Sequence, residues 1–293
     1  MNITLRQLKL FDAICRLRSL TLAAEEQAIS QSAASQSLKE LENQLGYSLF
    51  RKAGRTLAIT EAGVLALPKV RQVLATLDSL RFPSEQFVGG VLKVSASETI
   101  ASYLMPQLLA DFVAQYPKVE PHLDIDNTEK VVQHVENGQA SVGFIEGPAY
   151  SANTQQEPWL EDQLTVFAGP DFHWATSKKI PDSELASQPW IVRELGSGTR
   201  AVFDYAFQQR HQTPQIRLSL SRQEAIKQSA RAGLGVGCLS RMAVADELAA
   251  GTLVELQTAL NLSRRFSLLS LKQSAPSALV KQFLVFARQW RFD

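Results

Sequence analysis

Residues 30–39, SQSAASQSLK, set amides, hydroxyls and one amine at helical spacing. Gln31, Ser32, Ser35, Gln36 and Lys39 fall on one face, and Ala34, Leu38, Leu41 and Leu45 on the other. Glutamine and serine carry donors and acceptors that match base-pair edges in the major groove, and a lysine reaches phosphate. Just downstream, Arg51, Lys52 and Arg55 flank Gly54 in a short alternating segment. Cations on such a hairpin suit the DNA backbone or minor groove; which of the three makes that contact stays open.

A second group of residues suits small anions. Ser97, Glu98 and Thr99 close one apolar run and open a helical one, as do Ser197, Gly198 and Thr199 after Arg193. Each segment offers hydroxyls and backbone N–H groups at a helix start, where an anion is favoured. Arg193 and Arg200 can add charge-assisted bonds. Asn127, Thr128 and Glu146 end the other strands of the same region, and Glu98 and Glu146 oppose a large, purely anionic ligand. The GSGT stretch lacks the lysine and spacing of a nucleotide-binding loop. No nucleophile–base set appears. His122, His134, His173 and His211 are scattered without metal-ligand spacing, so neither a catalytic residue nor a metal or cofactor is expected.

The elements that must carry these groups are legible from periodicity. Leu5, Leu8, Phe11, Ile14 and Cys15 make one apolar helix face; Thr21 can cap a second helix, in which Ala23, Ala24 and Ala28 permit close packing. Ser30 caps the third, and Gly46 stops it. Leu57 and Ile59 alternate as a strand on the core. Residues 64 to about 86 read as one long helix with Val70, Val73, Leu74, Leu77 and Leu80 as a seam. Arg71 lies off the seam, and Pro68 implies a kink or a late start. A lone seam needs a partner, and a second copy is the simplest; Val70, Val73, Leu77 and Leu80 are the expected dimer residues.

From Gly90 onward, strands and helices alternate. Strands are expected at 91–96, 119–125, 140–145, 164–168, 190–192, 216–220, 236–239 and 265–271. Helices are expected at 101–115, 128–136, 199–210, 223–232 and 276–290. That rhythm predicts a mostly parallel sheet covered by helices.

The whole chain sets the bounds. Its 293 residues allow two or three cores, and 45% hydrophobic with 20% charged residues excludes disorder. No run is long enough to span a membrane, and the N-terminus lacks a signal-peptide core. Cys15 and Cys238 are distant, which fits a reducing cytoplasm without a structural disulfide. Residues 1–63 hold eight Lys/Arg against six acids, so DNA binding depends on placement and on several copies per site.

The stretch 19–63 resembles the DNA-binding domain of LysR-type transcriptional regulators. The match runs through Ala23-Ala24, Ser30-Gln31, Ser35, Leu41-Glu42, Leu45-Gly46, Leu49-Phe50 and Thr60-Glu61-Ala62-Gly63; Gln27 and the order Arg51-Lys52 depart from the pattern. TIASYLMPQLLADFVAQYP, VGFIEGP, WIVRELGSGTR and EAIKQSARAGLGVGCLSRMAVADELAAGTL are similar to a branch that controls sulfite and sulfur metabolism and carbon fixation. The resemblance implies an α/β protein with an N-terminal all-α winged helix-turn-helix (1–63) and a linker helix for dimerisation (64–88). It further implies a two-lobed effector domain like periplasmic binding proteins (89–293). Lobe I would hold 89–162 and 263–293, and lobe II 163–262, with crossings near 161–163 and 253–262. The implied partners are a double-stranded DNA operator, a small anionic effector, further copies in a homodimer or homotetramer, and RNA polymerase. Sulfite or sulfate is the first effector expected and a small carboxylate the second. The rival class is a solute-binding protein or enzyme built on the two lobes, which would leave the N-terminal third unexplained.

Overall fold

The computed structural model describes residues 2–53, 56–79, 88–272 and 276–292. They divide into two compact units, Met1–Phe87 with Asn137–Gln139, and Val88–Glu136 with Ala140–Asp293.

In the first unit, helix α1 (Leu5–Leu17) opens with a capping box: Thr4 and Gln7 each bond the other's backbone N–H through their side chains. Ser19, rather than Thr21, caps α2 (Leu20–Glu26), and Ser30 caps α3 (Gln31–Leu45), which stops at Gly46 with φ +80°. Leu10, Phe11, Ile14, Ala23, Ala24, Ala34, Leu38 and Leu41 form the core. Ala28 is not in it; it is exposed at φ +52° and turns the chain after α2. Gln27 is half-buried at the α2 C-cap rather than within the core. Strands β1 (Phe50–Ala53) and β2 (Thr56–Ile59) pair antiparallel.

Helix α4 (Glu61–Ser79) starts three residues before the expected boundary, and Pro68 lies inside it without delaying its start. The cause is local. Thr60 Oγ1 accepts from Gly63 N–H at 3.0 Å and so begins the helix. A Cβ on Gly63 would sit 2.3 Å from the Leu49 carbonyl oxygen, so only glycine allows α4 to press on that segment. Arg71, read as lying off the seam, is instead buried and pairs with Asp12 of α1 at 2.5 Å. Gly54, Arg55, Leu80, Pro83 and Ser84 lie outside the described residues.

The second unit runs β3 (Gly90–Ser97), α5 (Glu98–Tyr103), α6 (Met105–Gln115), β4 (Val119–Asp126), α7 (Thr128–Glu136), β5 (Val142–Glu146) and β6 (Thr154–Ala168). It continues with β7 (Trp190–Arg193), α8 (Gly198–Gln208), β8 (Ile216–Leu220), α9 (Gln223–Arg231), β9 (Val236–Ser240), α10 (Arg241–Ala249), β10 (Val254–Leu256), β11 (Ser263–Leu271) and α11 (Ala278–Gln289). The strands order as β4-β3-β5-β11-β6-β9-β7-β8, with β10 on β6. The central strands β5, β7 and β9 are buried throughout, as continuous apolar runs in an α/β sheet should be.

Three expectations need correction. The sheet is mixed: β3 is parallel to β4 and β5, and β7 to β8 and β9, but β6 and β11 run antiparallel to their neighbours. The predicted helix at 101–115 is two helices meeting at Leu104, with Pro106 in the first turn of the second, where a missing N–H costs nothing. Strand β6 begins at Thr154, not 164; its first ten residues are largely polar and partly exposed, so no apolar run announces them.

β6 is continuous yet serves two sheets. Up to Gln163 it pairs with β11, and from Leu164 it pairs with β9. The two sheets carry separate cores. Leu92, Val94, Phe112, Phe144, Phe266 and Phe283 fill the largest, and Trp190, Val192, Phe203, Phe207 and Val236 another, with smaller clusters on the opposite faces.

Candidate functional site

On α3, Gln31, Ser32, Ser35, Gln36 and Lys39 are all exposed, on the side away from buried Ala34, Leu38 and Leu41. Gln36 Nε2 donates to Glu40 Oε1 at 3.0 Å, and the Ser30 and Ser32 hydroxyls are 3.0 Å apart, so the face is polar and loosely tied. Arg51 is exposed on β1. The start of the hairpin is fixed by Glu42, whose Oε1 accepts from Leu49 N–H at 2.7 Å and Phe50 N–H at 3.1 Å. Glu42 thereby sets how the hairpin leaves α3, a role its matching of a family motif did not reveal. Lys52 lies within β1; Arg55 lies outside the described residues.

In the second unit the chain ends of β3, β5 and β7 bring Thr99, Glu146 and Thr199 together. Glu146 Oε1 accepts from Thr99 N–H at 2.8 Å, and Oε2 accepts from the Thr199 hydroxyl at 2.9 Å. Thr99 opens α5 in one lobe and Thr199 opens α8 in the other. The N–H expected to be free is therefore bonded to the protein's own carboxylate. Thr128 Oγ1 donates to the Glu146 carbonyl at 3.0 Å within one lobe, while Glu129 N–H donates to the Gly196 carbonyl of the other at 3.1 Å and joins the two. A Cβ on Gly198 would stand 1.7 Å from the Glu146 carbonyl oxygen, so this approach requires glycine. Ser97 and Ser197 are buried at the two helix N-caps; Ser97 Oγ has no hydrogen-bond partner.

Two residues that periodicity and motif did not single out complete the cleft. Arg264 of β11, 1% exposed at its side chain, sets Nη1 2.6 Å from Glu146 Oε2 and 2.8 Å from the Thr199 hydroxyl, and Nε 2.6 Å from Asp162. Gln223 of α9 donates from Nε2 to Thr99 Oγ1 at 2.7 Å. An arginine in an apolar strand could have signalled the first; nothing local marks the second.

Arg193 borders an open hollow, but its guanidinium is already held by the chain's own carboxylates. It holds Glu98 at 2.8 Å and Glu194 at 2.8 Å, while Asn127 Nδ2 donates to Glu194 Oε1 at 3.2 Å. Arg200 is held by Asp204 and donates to the Arg193 carbonyl. A hollow of about 200 Å³ remains beside them, lined by Glu98, Asn127, Lys130, Arg193, Ser221 and Arg222 among others.

Electrostatics follow from this packing. Burial alone would raise the Glu146 pKa, but Arg264, Arg193, the Thr99 N–H and the Thr199 hydroxyl outweigh it and hold the carboxyl at about 2. Glu98 goes the other way: burial raises it, and Arg193, the Gln223 N–H and Arg222 only partly oppose. Burial raises both thiols, Cys15 and Cys238, to about 12, far from a reactive thiolate. Among the described residues, no group of three or more His, Cys, Asp or Glu could hold a metal ion, and no helix is long and apolar enough to cross a membrane.

A helix-turn-helix head with a polar outer helix, and a two-lobed α/β unit with a polar cleft, define a ligand-sensing DNA-binding protein. Residues 5–64 match the family "Bacterial regulatory helix-turn-helix protein, lysR family", and residues 85–291 match "LysR substrate binding domain". The chain belongs to the LysR family of ligand-responsive transcriptional regulators, a class of DNA-binding proteins and not of enzymes. It is 38% identical to the HTH-type transcriptional regulator YeiE of Escherichia coli, with 97% of each chain covered. It is 32% identical to a RuBisCO operon transcriptional regulator of Allochromatium vinosum, over 87% of this chain and 85% of the other. A full-length OxyR variant from Pseudomonas aeruginosa shares the fold (TM-score 0.75, 20% identity, 98% and 94% covered). The CcmR regulatory domain of Synechocystis, solved in complex with 2-PG, matches with TM-score 0.63 and 28% identity over 68% of this chain and 96% of that one.

Proposed function

We propose that this regulator senses a small oxyanion bound between its lobes at the starts of α5 and α8, with sulfite or sulfate as the first choice. The observation that carries the reading is the Glu146 carboxylate itself. Both helix starts and Arg264 converge on one carboxylate, so the cleft is chemically an oxyanion site. Ser97, Glu98, Thr99, Asn127, Thr128, Glu146, Arg193, Ser197, Gly198 and Thr199 form its walls. A small carboxylate is the second reading, favoured because a carboxylate is what the closed cleft holds. The sulfur assignment draws on the branch resemblance in residues 99–117 and 190–200; the 2-PG of the CcmR domain lends weight to the second reading.

The domain plan supports an output through DNA. Residues 1–63 would form the DNA-binding head and 64–88 the dimerising linker, with α4 shared between them. Residues 89–293 would sense the effector, lobe I being 89–162 with 263–293 and lobe II 163–262. Gln31, Ser32, Ser35 and Gln36 would read bases; Lys39, Arg51, Lys52 and Arg55 would hold the backbone or minor groove. Val73 and Leu77 are exposed on α4, and an apolar hollow of about 470 Å³ bordered by Phe11, Leu41, Leu65 and Val73 adjoins them, which suits a second copy. Two such dimers would make a homotetramer. Effector binding would favour one lobe arrangement and reset the spacing of the DNA-binding heads, altering contact with RNA polymerase in the cytoplasm.

Calorimetry with sulfite, sulfate and acetate tests the effector. Binding that is lost in Thr199→Val, together with operator affinity that no longer responds, is the expected result. Wild-type affinity in that variant, or a ligand found outside the cleft, overturns the site.

A further inference from the structure

The three donors that make an oxyanion nest in this cleft already have an occupant. Thr99 N–H, the Thr199 hydroxyl and Arg264 Nη1 all end on the Glu146 carboxylate, at 2.8, 2.9 and 2.6 Å. Arg264 is anchored independently. Its Nε stays on Asp162 at 2.6 Å, and Asp162 is held in turn by the Ser240 hydroxyl at 2.7 Å. Its Nη1 therefore faces the nest whichever anion fills it.

The charge at the nest itself disfavours a second anion. Two buried cations, Arg193 and Arg264, contact the four carboxylates of Glu98, Glu146, Asp162 and Glu194, and Arg222 and Lys130 lie further out, beside the adjoining hollow. An added oxyanion would enlarge a negative excess inside a poorly screened interior. Replacing one carboxylate by another anion would not, provided the displaced Glu146 side chain turns to solvent or takes up a proton.

We infer that effector binding in this cleft is an exchange of anions, in which a small oxyanion takes the Thr99, Thr199 and Arg264 donors and the Glu146 carboxylate leaves them. The inference rests on the oxyanion-sensing reading above. It makes Arg264 the receptor for the effector's charge and Glu146 a built-in competitor that sets its affinity. It also limits the effector to one compact anionic head, since the space released is that of a carboxylate. The exchange couples occupancy to lobe geometry, because Glu146 of lobe I is hydrogen-bonded to Thr199 of lobe II.

The test uses the full chain with two probes, sodium formate and sodium sulfite. Glu146→Ala empties the nest; Glu146→Gln keeps its shape, removes its charge and carries the test if the alanine variant does not fold. Formate should bind Glu146→Ala at least about ten-fold more tightly than wild type and raise its thermal midpoint, with no rise in wild type. Sulfite should bind Glu146→Gln more tightly than wild type, and Arg264→Gln added to either variant should abolish the gain. If wild type binds sulfite in the cleft and both Glu146 variants bind both probes equally or more weakly, the exchange is overturned while the oxyanion-sensing reading stands. If sulfite binds wild type, and binds the Glu146 variants more tightly, but leaves operator affinity unchanged, the exchange stands and the effector reading falls; if no oxyanion binds wild type, both fall.

Discussion

At the scale of single residues, the exposed face of α3 and the buried Glu146 make opposite demands. A residue that reads DNA must be solvated and weakly tied until it meets a base, as Gln31 and Gln36 are. Gln31→Ala and Gln36→Ala should each lose about 1–3 kcal/mol of discrimination between operator and scrambled DNA. Arg51→Ala should weaken both complexes alike and flatten the salt dependence. Gel-shift titrations at two salt concentrations separate the two patterns; unchanged preference in both glutamine variants would refute the α3 assignment. Glu146 is the reverse case, an ion kept charged by dedicated partners. Its carboxyl sits at about 2 in the folded chain against an ordinary 4.5. A lowered carboxylate contributes stability above the unfolded value and loses it as pH falls toward the folded one. Wild type should therefore lose on the order of 3 kcal/mol between pH 5 and pH 2 that Glu146→Gln does not lose. Denaturant titrations across those pH values check it, and parallel curves for the two proteins would count against the assignment.

At the scale of elements, close approaches of backbone decide the geometry. Gly198 lets the first turn of α8 rest on the end of β5. Gly198→Ala should push the two apart, destabilising the second unit by about 1–3 kcal/mol, and should weaken the Thr199–Glu146 bond. Thermal unfolding together with oxyanion calorimetry reads both effects; a wild-type midpoint with wild-type affinity would mean the contact is slack. Gly63 plays the same part between α4 and Leu49, and Glu42 ties the hairpin to α3. These links tie α3, the hairpin and α4 to one another. β6 and β11 are the corresponding device in the second unit, since a single extended strand pairs with one lobe up to Gln163 and with the other from Leu164.

At the scale of the whole molecule, function depends on copies. Val73 and Leu77 are 46% and 37% exposed on a helix whose opposite side is fixed by the Arg71–Asp12 pair. Leu77→Asp should leave a monomer, because an unpaired charge does not stay buried in an apolar contact without a large penalty. Its operator affinity should fall steeply once two half-sites are no longer held together. Sedimentation velocity decides the first point; a variant with wild-type mass removes α4 from the interface.

Local signals carry much of this protein in its sequence. The caps at Ser30 and Gly46, and the apolar period of α3, depend on neighbours within a few residues, so the exposed polar face of α3 is legible from the sequence by itself. The βαβ rhythm is legible for the same reason, and strand ends draw attention to Thr99, Glu146 and Thr199, which the fold brings together. What sequence could not supply were facts about distant partners. The first ten residues of β6 look like a polar loop, because their order comes from pairing with β11, some hundred residues away. Arg71 reads as a solvent-facing residue until α1 brings Asp12 to it. Arg264 and Gln223 enter the cleft only because β11 and α9 close on it from far along the chain. That Thr99 and Thr199 bind the chain's own carboxylate, and not open solvent, is likewise decided by tertiary structure alone. A hydroxyl at a helix start advertises an anion site, but only the packed lobes determine which anion fills it.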